Sequence, residues 1–270
     1  YNPDTAAYSC TSSGGVNHVV TVVGWDDTFS KENFNEISNV ASDGAWIVKN
    51  SWGENWGENG YFYLSYEDKS ISNLVCATAV SYPEYPNNYF YDGSSGISSC
   101  PLAAGEGVAC VFETKAAEKH QEILGEVVTH TWADNAVYSI QVYTNLKDRN
   151  NPVSGTPAYE APLVYRQSIQ GVDTISVPEV ILEPGSFYSV VITNQGQGSL
   201  NYGVEADAEY GWSSFDAGTA AGQGFLYTGG QWLDLHSEKE AQAMCPRIKA
   251  HTRTGELAVG VPASVKAEVK

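Results

Sequence analysis

Positive charge is scarce in this sequence. Lys and Arg together number 14 against 32 Asp and Glu, for a formal net charge of −18. Nucleic acids and anionic membranes are bound through basic patches, so neither is expected as a partner. The acidity reads as solubility, because no aspartate-rich loop has the EF-hand spacing of a calcium site. Cysteine is sparse too. The five (Cys10, Cys76, Cys100, Cys110, Cys245) are odd in number and too few for a disulfide scaffold. No Cys-x-x-Cys pair exists, which argues against structural zinc. Cys100 and Cys110 are close enough in sequence to close a short loop, and the spacing suits a bridge there or two buried free thiols equally. No apolar run is long enough to span a membrane, and no signal peptide opens the chain. The first residues are Tyr1-Asn2-Pro3-Asp4, so the chain reads as a processed or excised piece whose natural N-terminus lies upstream. The missing signal then says nothing about secretion.

What is abundant is aromatic and β-branched. Tyrosine (17) and tryptophan (7) are plentiful, and 42% of the 270 residues are hydrophobic, enough for two packed domains. Val16 to Trp25 is a β-branched run that breaks at Gly24, and Ala45 to Lys49 is a second short strand. Between them, residues 26–43 read as a polar surface loop. The glycine- and asparagine-dense stretch after Lys49 requires irregular backbone. Tyr61 to Tyr66 alternates as a third strand, and Ala77 to Ser81 is a candidate fourth. Beyond Pro83 strand signals recur, clearest at 136–144, 173–178, 187–193 and 222–228, with turn clusters between them. That spacing predicts an antiparallel sandwich or jelly roll. Only the region 114–126 is compatible with a helix. The division expected is 1–82, a linker at 83–88, a sandwich at 89–254, and a tail at 255–270.

A lone histidine at the start of a strand is usually structural, but His18 has company. Asn17-His18 leads a strand ending Val23-Gly24-Trp25. A second strand delivers Lys49-Asn50-Ser51-Trp52-Gly53, and Glu58-Asn59-Gly60-Tyr61 follows. In this order, over residues 14–68, these landmarks resemble the C-terminal half of the papain-like (C1 family) cysteine peptidase domain. The resemblance implies that His18 is the imidazole that ionises a cysteine thiol and then shuttles the proton. Asn50 would orient that ring through its amide oxygen without adding charge. Trp52 would shield the bond, and Trp56 would stand beside the cleft. Val16 and Val19 flank His18 and are read either as substrate-pocket lining or as core. The family's cysteine and its oxyanion-donating glutamine belong to the N-terminal half, and neither is found here. Cys10 lies in a turn-rich segment on the wrong side of that order, and Cys76 reads as a buried strand thiol. This chain alone is therefore expected to be inactive and to need the upstream half, from the same precursor or a second chain, to cleave a peptide or protein substrate. No cofactor is expected.

From Asn87 onward, Tyr91-Asp92-Gly93, Gly222 to Phe225, Trp232 and the run Cys245 to Thr252 resemble the lectin-like domain that follows such peptidase domains in bacterial surface proteins. The fold class implied is mainly β: the β-rich lobe of a papain-like α+β domain, then an antiparallel lectin-like sandwich or jelly roll. Localisation would be extracellular or at the cell surface. Trp212, Tyr227 and Trp232 are candidates for a glycan-stacking platform, with core filling as the competing reading for each. His120, His130, His236 and His251 are scattered, and no metal site is expected. Three functional readings follow: a thiol peptidase with an appended glycan-binding module, a surface adhesion protein in which the peptidase remnant is a scaffold, and, third in order, a pseudo-enzyme that regulates another protease.

Overall fold

β-branched and aromatic residues suit a pleated, half-buried surface, and in this chain they form strands almost throughout. A computed structural model describes residues 1–13, 17–72, 74–75, 84–93, 97–115, 120–211, 213–217, 219–236 and 244–256. The chain divides into two units, Tyr1–Val80 and Ser81–Lys270.

The first unit holds β1 (Ala7–Tyr8), β2 (Thr21–Asp26), β3 (Ala45–Lys49) and β4 (Tyr61–Ser65). They form one sheet in the order β1-β4-β3-β2, antiparallel except where β1 meets β4. Side chains alternate with the two-residue period of a strand. Val48, Phe62 and Leu64 point to one face with Trp46, while Ala45 and Tyr63 point to the other. The segment 26–43 is more than a surface loop. Phe34 is buried and Phe29 stacks on Tyr63 with ring centroids 4.1 Å apart, so the loop roofs the second face. Gly24 does not end β2. It sits where the β2–β3 register shifts, and the strand continues through it to Asp26. Along β2, Val22, Val23 and Trp25 are exposed, as is Val19 just before it. Val16, Cys76 and the candidate strand 77–81 lie outside the described residues.

The second unit begins with β5 (Asn87–Tyr89), β6 (Ile97–Leu102), β7 (Gly107–Glu113), β8 (His120–Thr131), β9 (Ala136–Thr144), β10 (Thr156–Pro157), β11 (Leu163–Gln167) and β12 (Gly171–Leu182). It continues with β13 (Phe187–Asn194), β14 (Leu200–Ala206), β15 (Ala208–Tyr210), β16 (Ser213–Phe215), β17 (Gly224–Thr228), β18 (Gln231–Asp234), β19 (Met244–Pro246) and β20 (Lys249–Glu256). One seven-stranded sheet runs β10-β9-β13-β7-β17-β18, with β11 also on β9. A second runs β19-β14-β8-β20-β5, with β12 on β8 and β6 on β14. The main core gathers Val108, Phe112, Tyr138, Ile140 and Tyr188 from the first sheet with Leu124, Ile175, Tyr202 and Ala250 from the second. This is a β-sandwich.

The region considered for a helix is instead partly β8. Its run from Gln121 to Thr131 carries β-branched Ile123, Val127, Val128, Thr129 and Thr131, and both its edges are taken by β12 and β20, so pairing overrides any helical preference. Residues 116–119 lie outside the described set. The span read as a linker also contains structure: Asn87–Tyr89 pairs with β20. Tyr85 lies over Gly125, where a Cβ would strike its ring, and its hydroxyl donates to Glu179 over 2.9 Å.

Candidate active site

Asn50 follows the last residue of β3. Its backbone N–H donates to the Gly60 carbonyl over 2.9 Å, which closes the loop between β3 and β4 around it. That loop depends on left-handed backbone. Gly60 has φ of 87°, and a Cβ there would press on the Gly53 carbonyl at 3.2 Å. The closed loop holds the Asn50 side chain nearly buried, at 8% exposure.

The Asn50 Oδ1 accepts from the Ser51 N–H over 2.8 Å. A backbone N–H bonds only an acceptor, so the amide orientation is fixed by that contact rather than chosen. The same oxygen lies 2.9 Å from Nε2 of His18. Nε2 must therefore carry the proton and donate, which leaves Nδ1 as the free nitrogen of the neutral ring. Trp52 stacks on the His18 ring, centroids 5.0 Å apart at 30°. Trp56 meets Trp52 edge-on at 5.0 Å, rests on Phe62 and stacks on Tyr1 at 5.2 Å. His18 is itself exposed. The arrangement is an open imidazole with one nitrogen anchored and, among the described residues, one available.

Val19 is 88% exposed, so it fills no core within this unit. Val16 lies outside the described residues. Cys10 bonds through Sγ to the Ser12 carbonyl (3.4 Å) and hydroxyl. Hydrogen bonds from the Ser12 side chain, then its backbone, hold that thiol below its ordinary range.

In the sandwich, Tyr227 and Trp232 are direct cross-strand partners on β17 and β18, with centroids 5.2 Å apart and rings tilted by 49°. Gly229 and Gly230, both at positive φ, make the turn between them. Trp232 packs on buried Ala109, Val111, Val191 and Phe225, so part of the ring is committed to a satellite core. Trp212 lies outside the described residues. His236 Nδ1 is 2.8 Å from the Thr219 carbonyl, and His251 Nδ1 is 3.1 Å from Glu126. Among the described residues no group of three or more His, Cys, Asp or Glu is placed to hold a metal ion.

One cluster escaped the sequence reading. The Asp92 carboxylate is buried, 2.9 Å from Lys249 Nζ and 3.5 Å from Arg247 Nε. Lys249 also lies over the Phe90 ring at 4.5 Å, and Gly93 N–H donates to Glu205. The available signal was the coincidence of Tyr91-Asp92-Gly93 with Arg247-Ile248-Lys249, two landmarks far apart in sequence and of opposite charge.

Comparison with known proteins fits these two units. A family model described as papain family cysteine protease matches residues 4–83, and one described as lectin like domain matches residues 89–252. Vignain of Phaseolus vulgaris is 34% identical over 89 residues, 33% of this chain and 21% of that protein. The chain spans only about a fifth of the length of the first curated relatives it matches. Among solved structures, the clostridial cysteine protease Cwp84 after propeptide cleavage superposes with a TM-score of 0.73 at 26% identity, covering 92% of this chain and 61% of that one. The cysteine protease and lectin-like domains of Cwp84, a surface layer associated protein of Clostridium difficile, superpose at 0.71 and 25% identity, covering 94% and 56%. The chain belongs to the lectin-like domain family over residues 89–252, preceded at residues 4–83 by part of a papain family cysteine protease domain.

Proposed function

We propose that this chain supplies the histidine and asparagine of a Cys-His-Asn thiol peptidase whose cysteine lies outside the chain. The observation that carries the reading is the anchored imidazole: Nε2 of His18 on Asn50, with Trp52 stacked over the ring. The free Nδ1 is the atom that would face a thiol, hold it as a thiolate, then protonate the leaving amine and deprotonate the hydrolytic water. Exposed Val19, Val22, Val23 and Trp25 form an apolar strip that suits cover by the upstream half of the domain. The chain alone is inactive on this reading, and peptides or proteins are the substrates of the assembled enzyme. The sandwich serves as a carbohydrate-binding module at the cell surface, with Tyr227 and Trp232 as sugar-facing rings. The surface-layer association of Cwp84 supports that placement.

The test is to produce the complete precursor and titrate it with a thiol-directed epoxide inhibitor while following hydrolysis of a peptide substrate. Stoichiometric labelling of a cysteine upstream of Tyr1, with loss of activity, is expected. A precursor with no such cysteine would instead favour the adhesion reading. For the sandwich, a glycan array probed with residues 81–256 should show binding that Trp232→Ala weakens. Uniform silence would make it a spacer.

A further inference from the structure

We propose that Cys110 and Cys245 are the two halves of a disulfide that ties one sheet of the sandwich to the other when the chain is oxidised. Cys110 lies in the middle of β7 and Cys245 in β19, strands of opposite sheets. Both are free thiols with no exposed surface. Their sulfurs converge on one acceptor: the Pro246 carbonyl lies 3.5 Å from Cys110 Sγ and 3.6 Å from Cys245 Sγ.

The approach has a cause in the sequence. Gly224 pairs in register with Cys110, and a Cβ at Gly224 would meet the Pro246 ring at 3.0 Å. The missing side chain lets the residue after Cys245 settle onto β17 beside Cys110. Cys100, the nearer cysteine in sequence, pairs through β6 with Tyr202 of β14 in the second sheet. Cys245 lies in that sheet too, but it is Cys245, not Cys100, whose sulfur shares the Pro246 carbonyl with Cys110. Burial, and after it the neighbouring Cys245 thiol, push the Cys110 thiol well above its ordinary range.

Such a thiol is a poor thiolate and is out of reach of reagents once the sandwich has closed. The bond must form while the chain is still open, with an external disulfide as oxidant. One cysteine thiolate attacks the external disulfide, forms a mixed disulfide and expels one thiolate. The second cysteine, deprotonated, attacks the chain-side sulfur and expels the other. Two chain S–H bonds become one S–S bond, the oxidant leaves as two thiols, and the two chain protons pass to them. An oxidising compartment favours this outcome, in keeping with a surface location.

The experiment refolds the full chain in reduced and oxidised glutathione, denatures it in iodoacetamide without reductant, digests it and maps the peptides by mass spectrometry. The expected product joins the Cys110 and Cys245 peptides, while Cys10, Cys76 and Cys100 carry the label. Labelled Cys110 and Cys245, or a Cys110–Cys100 link, would overturn the proposal. Reductant should also lower the thermal midpoint of the refolded protein by about 5–15 °C. It should leave the Cys110→Ala, Cys245→Ala double variant unmoved. An equal response from both proteins would count against the bond.

Discussion

His18 lies just before β2 and Asn50 just after β3, 2.9 Å apart at the hydrogen-bonding atoms, and the shared Oδ1 is pinned a second time by Ser51 N–H. The ring is thus held in one tautomer before any substrate arrives. In the assembled peptidase, His18→Ala should cut kcat/KM by on the order of 10³–10⁴-fold, because ionisation of the thiol and both proton transfers fail together. Asn50→Ala keeps the imidazole but frees its orientation, so a loss of roughly 10–100-fold is expected. Peptide hydrolysis and the rate of thiol alkylation at pH 5 read both effects. Near-normal turnover in His18→Ala would end the assignment.

Asp92 sets a different test, of stability. Its carboxylate is buried between Lys249 and Arg247, so Asp92→Ala leaves two cations without their counter-charge. Because both cations keep part of their surface in water, the cost is about 1–3 kcal/mol. Urea unfolding should show that loss. Asp92→Ala combined with Lys249→Met removes one stranded cation and should recover part of it. If Asp92→Ala is as stable as the wild type, the pair is a surface contact and the buried network is misread.

The same cluster marks the boundary of what the sequence reveals. Ala45–Lys49 and Ala136–Thr144 are visible as strands to the residue, since β-branched and aromatic residues alternate and turn residues bound them. His18 and Asn50 were legible as a pair because the landmarks around them keep their order. Other features needed the third dimension. β8 looked ambiguous because helix and strand differ there only in which edges find partners, and both edges are taken by strands distant in sequence. The roofing role of Phe29 and Phe34 was hidden because a few apolar residues in a polar loop carry no period. The meeting of Cys110 with Cys245 is set by sheet stacking, on which chain spacing is silent.

Gly125 and Tyr85 predict where the sandwich starts. With no Cβ on β8 at that point, the Tyr85 ring lies on the strand, and Glu179, itself held by Arg253 at 2.8 Å, receives the hydroxyl. Gly125→Ala forces the ring off and should cost about 1–3 kcal/mol. Tyr85→Phe keeps the ring in place and loses one exposed hydrogen bond, worth about 0.5–1 kcal/mol. Cleavage after Glu84 by a glutamate-specific protease should accelerate in Gly125→Ala. Unchanged cleavage would show that the segment is not anchored there.

His130 gives the sandwich a stability that depends on pH. Its ring lies against β14, where a Cβ on Gly203 would meet the ring Cγ at 2.5 Å, and its Nδ1 is buried without a hydrogen-bond partner among the described residues. Burial first, then the Arg247 charge, lower its pKa from 6.5 to about 4. The unfolded chain therefore binds a proton between these two values that the folded chain refuses. Each such proton favours unfolding, so stability is complete above pH 6.5 and falls as the pH drops towards 4. Between pH 7 and pH 5 the loss should be roughly 2 kcal/mol, before the carboxylates contribute heavily. His130→Gln has no proton to take up and should flatten that part of the profile, whatever it does to stability at pH 7. Urea midpoints at pH 7.0, 6.0 and 5.0 for both proteins make the comparison. Parallel profiles would place the acid sensitivity elsewhere, because only the difference between the two slopes belongs to this ring.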